Sequence, residues 1–355
     1  MVFEKILNQK DCSLMYCVLQ ITRTSIFNSA NSTIPDLPAA RVSSDPPFTN
    51  TGLDFAGPLH SSDLGENSKT YVCLFTCAST RAVHFELTRD LSVPSFLLAF
   101  RRFSSQRGLP SRLLSDNAKT FKCAQSFINK ILRSEEISNY FVNKQVIWGT
   151  IVETAPWWGG FWESLAKSLK RCLKKTIGRS TLKFEELRTL LVEIETTLNN
   201  RPLTYVDDDQ NGVSYALTPA DLLYGHRIAT TPNARQYDII STNQSLTKRA
   251  KYQLRLLTNF TNQWKKEYLT SLFEYSTNRK KENTMQLLKL GDIVILKNDH
   301  SPRIWWKLAK VVALVTGRDN FILSAKVQVL NAKNTNLPPT RPIQHLIPLE
   351  VNQTD

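Results

Sequence analysis

The sequence predicts an α/β protein: a layered sheet with helices, then a helical connection and a small all-β domain. Three features predict it. Strand patterns at residues 51–56, 69–78 and 82–87 follow one another with polar punctuation between them. From Val93 to Leu198, stretches of helical periodicity alternate with short strand patterns, as layered sheets require. Beyond Asp292 the chain breaks into short β patterns separated by turn residues such as Gly317, Asp319 and Asn320, the texture of a small barrel.

Taken in order, residues 1–46 show weak periodicity, a Ser/Asn/Thr-rich middle and prolines at Pro35, Pro38, Pro46 and Pro47, so they read as an arm. The first strand, Thr51-Gly-Leu-Asp-Phe-Ala, opens a core domain expected to span 47–232. A helix over 93–103 places Phe96, Leu97, Phe100 and Phe103 on one face, and Gly108 stops it. A short strand at 112–115 ends at Asp116, a helix follows over 121–132, and another strand over 146–152. After an aromatic loop at 156–162, a helix over 164–177 aligns Leu165, Leu169, Cys172 and Leu173, with Lys167, Lys170, Arg171 and Lys174 off that stripe. The next helix, 184–198, packs through Leu187, Leu191 and Ile194 and ends at Asn199-Asn200-Arg201-Pro202. A linker over 233–285 holds a helix at 247–275 with Leu254, Leu257, Phe260, Trp264 and Tyr268. A β domain over 286–350 contains strand patterns at 292–296, 307–314 and 322–329.

The 355 residues suggest two domains plus linkers. Forty-five Lys and Arg against 31 Asp and Glu leave a formal charge of +14. That balance favours a polyanionic partner, because each neutralised phosphate releases counterions, and nucleic acid leads an anionic membrane surface. The nearest approach to an apolar span, 12–21, is about half the roughly 20 residues a spanning helix needs, so a membrane role and a signal peptide are not expected and the chain reads as soluble and intracellular. The six cysteines, Cys12, Cys17, Cys73, Cys77, Cys123 and Cys172, lack zinc-knuckle spacing, and Cys73 and Cys77 alternate onto one strand face as buried thiols.

Three acids stand where a strand or loop delivers them to a common edge: Asp54 inside the first strand, Asp116 just past a strand end, and Glu163 opening a helix. Phosphodiester chemistry wants such carboxylates, because they can hold two Mg²⁺ ions about 4 Å apart, one for the attacking oxygen and one for the leaving oxygen. Spacing alone does not exclude Asp63, Glu86, Asp90 or Glu153. Glu86 alternates onto the face of His84, which suits either a surface residue or one beside the site.

Gly52-Leu-Asp-Phe-Ala-Gly-Pro-Leu, Leu114-Ser-Asp-Asn-Ala-Lys-Thr-Phe and Ala155-Pro-Trp-Trp-Gly-Gly-Phe-Trp-Glu resemble the three acidic motifs of the retroviral integrase family. Leu198-Asn-Asn-Arg-Pro-Leu-Thr-Tyr and Leu217-Thr-Pro-Ala-Asp-Leu-Leu-Tyr-Gly resemble the integrase region of BEL/Pao long-terminal-repeat retrotransposon polyproteins. So do Leu290-Gly-Asp-Ile-Val-Ile-Leu and Thr340-Arg-Pro-Ile-Gln-His-Leu-Ile-Pro-Leu-Glu, and the resemblance covers roughly 35–350.

The resemblance implies a ribonuclease H-like core, a mixed sheet flanked by helices, followed by a small SH3-like barrel. It makes Asp54, Asp116 and Glu163 the catalytic, metal-binding triad for Mg²⁺ or Mn²⁺, with two ions expected. The implied reaction is trimming of DNA 3′ ends and their transfer into target DNA, with DNA and further copies of the chain as partners and the nucleus, otherwise the cytoplasm, as location. DNA contacts are expected from Lys167, Lys170, Arg171 and Lys174, on the helix opened by Glu163, and from Arg303, Trp305 and Lys307 in the barrel. A solvated helix face, and aromatic core for one of Trp305 and Trp306, remain open alternatives. The aromatic loop reads both as core packing and, through Gly159-Gly160, as a hinge beside the site.

The chain departs from the family at its start. Residues 1–46 lack the paired His and paired Cys of the zinc module, so they read as its degenerate remnant and no zinc is expected. With no other polyprotein region present, the chain reads as a truncated or isolated copy. The alternative function is a catalytically silent DNA-binding remnant.

Overall fold

The computed structural model describes residues 45–62, 68–115, 146–150, 160–178, 182–208, 213–226, 228, 244–281, 288–297, 306–317, 322–330 and 339–349. Residues 1–44 of the expected N-terminal arm and the expected helix at 121–132 lie outside them. Two compact units are present: one within Pro38–Asn199 and Ile228–Trp264, the other within Asn200–Arg227 and Lys265–Asp355.

The first unit is built on β1 (Asn50–Ser61), β2 (Ser68–Cys77), β3 (Val83–Thr88), β4 (Arg112–Ser115) and β5 (Ile147–Thr150), in the order β3-β2-β1-β4-β5. β1–β3 form an antiparallel meander, whereas β4 and β5 run parallel to β1. The sheet is therefore mixed, as the resemblance implies. Alternation along β1 divides its residues between two faces. Leu53, Phe55, Cys73, Phe75, His84 and Glu86 share one face, because Phe55 pairs with Cys73, and Phe75 and Cys73 pair with His84 and Glu86.

Helix α1 (Val93–Arg107) covers that face. Ser92 caps its N-terminus by accepting the Ser95 N–H, and Pro94 stands in the first turn, where its missing donor costs nothing. Phe96, Phe100 and Phe103 are buried, as the periodicity predicts. Phe103 stacks on Phe75 at 4.1 Å between centroids, and Phe96 meets Phe55 edge-on at 6.3 Å. The helix runs a turn beyond its expected end at Phe103 and stops at Gly108, whose φ of 89° is open to glycine and whose N–H reaches Ser104 O.

Helix α2 (Gly160–Thr176) packs toward β1 from the opposite face, with Ala166, Leu169, Cys172 and Leu173 buried. Gly160-Phe161-Trp162, expected to be the end of a loop, instead form its first turn. Helix α3 (Phe184–Asn199) buries Leu187, Leu190, Leu191, Ile194 and Leu198, and lies along the outer strand β3.

The second unit holds a hairpin, β6 (Thr204–Asp208) with β7 (Val213–Leu217), and the short helix α4 (Pro219–Tyr224), closed by a Thr218/Asp221 capping box and left-handed Gly225. It also holds a five-stranded antiparallel sheet of β8 (Ile293–Leu296), β9 (Leu308–Thr316), β10 (Ile322–Val329), β11 (Thr340–Pro342) and β12 (Leu346–Pro348), ordered β11-β10-β9-β8-β12. A 3₁₀ turn, Ile343–His345, joins the two end strands. Leu288, Val294, Ala309, Val311, Ala325, Val327 and Leu346 form its core. The sheet contains the three expected β patterns, and β11, β12 and the β6–β7 hairpin are additional to them. Helix α5 (Gln244–Lys281) extends the expected 247–275 helix at both ends. Among the described residues, no helix is long and apolar enough to cross a membrane.

Candidate active site and nucleic-acid face

Asp54 sits in the middle of the central strand. Because Leu53 and Phe55 turn toward α1, strand alternation sends Asp54 to the α2 side, across from Leu74 of β2. On its other side β4 runs parallel, with Leu53 paired to Ser115. The residue before Asp54 is thus opposite the residue before Asp116, which itself lies outside the described residues. Glu163 belongs to the first turn of α2 by its backbone, and its side chain lies outside the described residues.

Asp54 is three-quarters or more shielded, its side chain retaining 17% exposure. Its Oδ1 accepts the N–H of Phe55 at 2.7 Å. Lys170 Nζ donates to both carboxylate oxygens, at 2.9 Å to Oδ1 and 2.7 Å to Oδ2. The sequence reading groups Lys170 with Lys167, Arg171 and Lys174 as DNA contacts, and in this structure its ammonium is engaged by Asp54. The other three are exposed, but Lys170 lies at the border of the packed stripe, from which its stem reaches back over β1.

Among the described residues no group of three metal-ligating side chains occurs. Asp54 suits one ligand of such a group: its two oxygens face a cation, and hard dications take carboxylate oxygen.

Glu86, a competing acid in the sequence, belongs to the other face. It is buried and accepts from Arg102 Nε at 2.6 Å, with His84 Nε2 3.5 Å away. His84 Nδ1 lies 3.3 Å from Glu195, which also accepts from Arg107 at 2.7 Å. Burial pulls the His84 pKa down, but hydrogen bonds to Glu195 and Glu86 outweigh it and leave the imidazole above its ordinary value. For Glu86, burial pushes up, yet His84 and Arg102 hold its carboxyl below the usual range. Asp90 is likewise held low, by hydrogen bonds from Ser92 and Ser95 at the start of α1. Asp63 and Glu153 lie outside the described residues.

Apart from the shared face of His84 and Glu86, the β3–α1–α3 network is not legible in the sequence. Its partners Arg102, Arg107 and Glu195 come from two other helices, and no local spacing announces them. Cys73 and Cys77 are buried as expected, and desolvation, followed by the charge of Glu86, pushes the Cys73 thiol well up.

In the second unit Lys307 is exposed, whereas Arg303 and Trp305 lie outside the described residues. Trp306 meets Tyr268 edge-on at 5.9 Å, and Lys265 Nζ stands 5.1 Å from its ring centroid. Trp306 thus makes packing contacts within its own unit. Burial lowers Lys265 to about 8.

A family model described as a family of unknown function, DUF5641, matches residues 248–349. No curated protein matches the chain. Among solved structures, the chain is similar to the integrase catalytic core domain of HTLV-2 in complex with magnesium, at 16% identity and a TM-score of 0.32, covering 50% of this chain and 98% of that one. It is similar to the catalytic core domain of BIV integrase at 16% identity and a TM-score of 0.31, covering 50% and 95%. A simian T-cell lymphotropic virus intasome in complex with PP2A regulatory subunit B56 gamma aligns over 91% of this chain and 84% of that one, at 12% identity and a TM-score of 0.35. Likenesses at this level assign neither a residue role nor an activity to this chain.

Proposed function

We propose that the chain is an integrase-type polynucleotidyl transferase of BEL/Pao character, which trims DNA 3′ ends and joins them to target DNA. The observation that carries this reading is the seat of Asp54. It stands at the centre of a mixed sheet, one row from the strand end that leads to Asp116, with the helix containing Glu163 packed toward the same strand. The order of the acidic motifs and the charge of +14 support it.

In this reading Asp54, Asp116 and Glu163 hold two Mg²⁺ or Mn²⁺ ions. Such ions supply activation of the attacking oxygen and stabilisation of the leaving oxygen. The protein's own work is positioning. Lys167, Arg171 and Lys174, exposed along α2, hold backbone phosphates near Asp54, and Lys307, with Arg303 and Trp305, provides a separate DNA contact on the small β domain. Residues 47–232, 233–285 and 286–350 act as core, linker and DNA-binding domain of a homo-oligomer working in the nucleus.

Incubation of labelled duplex DNA ends with the protein and Mg²⁺ or Mn²⁺ tests the reading. Joined products from wild type, lost in Asp54→Asn, Asp116→Asn and Glu163→Gln, are expected. DNA binding without joining in wild type would instead identify a silent DNA-binding remnant.

A further inference from the structure

We propose that Lys170 is a built-in counterion that competes with a divalent cation for Asp54, so that cation binding and DNA phosphate binding are coupled through one ammonium. The inference rests on the reading above and deepens it.

Lys170 stands between two faces of α2. Ala166, Leu169 and Leu173 are buried on one side of it, and Lys167 and Lys174 are exposed on the other. From that border one ammonium takes both oxygens of Asp54, at 2.9 and 2.7 Å. A hard dication uses the same lone pairs, at about 2.0–2.6 Å. The two cannot share them, because ammonium and dication would then stand a few ångströms apart and repel.

Lys170 has somewhere to go. Its side chain is 41% exposed, against 17% for Asp54, and its stem can swing out toward the row of Lys167 and Lys174. There a phosphodiester is a suitable partner. Linkage then demands reciprocity: phosphate that draws Lys170 off Asp54 raises the affinity of Asp54 for a dication, and a dication raises the affinity for phosphate by the same factor. The arrangement would favour loading the site when DNA is present.

Calorimetric titration of Mn²⁺ into the full chain, with and without a short DNA duplex, tests this. Wild type, Lys170→Gln, Lys170→Arg and Asp54→Asn are compared, with folding checked by thermal melting. Binding of Mn²⁺ to the duplex itself is removed by subtracting the Asp54→Asn titration. In wild type the Asp54-dependent binding should tighten about fivefold or more on adding DNA, within the usual range of site coupling. Lys170→Gln should bind tightly from the outset, DNA adding less than about twofold, and Lys170→Arg should keep the wild-type response. A Lys170→Gln protein with wild-type affinity and wild-type DNA response overturns the coupling and leaves the integrase reading standing. A Lys170→Arg protein that behaves like Lys170→Gln also overturns it, since charge would not be the cause. Mn²⁺ binding indifferent to Asp54→Asn overturns both.

Discussion

Asn199 pairs twice with the backbone of Val83, accepting its N–H at 2.8 Å and donating to its carbonyl at 2.9 Å. Glu195, one turn earlier on α3, accepts the N–H of Phe85 at 2.9 Å. Side chains of a helix therefore stand where a further strand would bond to β3, the outer strand of its sheet, and they close an edge that would otherwise invite another chain. Asn199→Ala leaves a buried donor and a buried acceptor unmet and should cost about 2–4 kcal/mol. Urea unfolding of the two proteins would measure it.

The buried cluster around His84 makes stability depend on pH at both ends. His84 is raised in the fold, so its contribution is complete below its ordinary value near 6.5 and is lost as pH climbs through the raised value. Glu86 is lowered, so its contribution is complete above about 4.5 and is lost as pH falls through the depressed value. Thermal melts across pH should decline on both sides. His84→Gln should flatten the alkaline decline while an acid decline persists; an unchanged alkaline limb would rule the histidine out.

Phe103 is fully buried and touches Phe48, Phe75, Phe100 and His84. Phe103→Ala should destabilise the first unit by about 3–5 kcal/mol, the range for emptying an aromatic site in a core. Phe103→Leu, which refills much of the volume, should recover part of that loss in the same denaturation assay.

Cys73, Cys77 and Cys172 are buried thiols that form no disulfide. With its thiol pushed up by burial, Cys73 offers little thiolate to an alkylating agent. Mass spectrometry after brief iodoacetamide treatment should find these three unmodified in the native protein and labelled in urea. Rapid native labelling of Cys73 would contradict its seat between α1 and the sheet.

For the proposed joining reaction, Asp54→Asn should lower activity by more than about 100-fold, since even an outer partner of a metal ligand commonly contributes 10–100-fold. Lys174→Ala, at an exposed position one turn beyond Lys170 on α2, should weaken DNA binding and reduce its salt dependence by about one phosphate contact without abolishing joining. Gel assays at several salt concentrations would separate the two effects.

Much of the first unit could be read locally. Alternation over 51–56 and 82–87 located β1 and β3, and the spacing of Phe96, Phe100 and Phe103 located α1. The end of α1 was less visible, because Ser104–Arg107 carry no apolar signal and the last turn is closed by a backbone bond to Gly108. The hairpin of β6 and β7 went unread for a related reason: its five-residue strands include Asp207, Asp208 and Ser214, and their identity as strands comes from pairing with each other.

The sequence by itself determined the order of β1–β5 and α1–α3 in the first unit, the burial of Cys73 and Cys77, and the position of an acid, Asp54, within the first strand, since all of these follow from side-chain chemistry at spacings of two to four residues. Only the tertiary structure decided that Lys170 turns inward onto Asp54 and that Glu86 lies on the opposite face of the sheet. It alone decided, too, that Asn199 closes the edge of β3. Each of these joins groups far apart in the chain. Such contacts depend on which face a helix presents after it has packed, and no local periodicity carries that information.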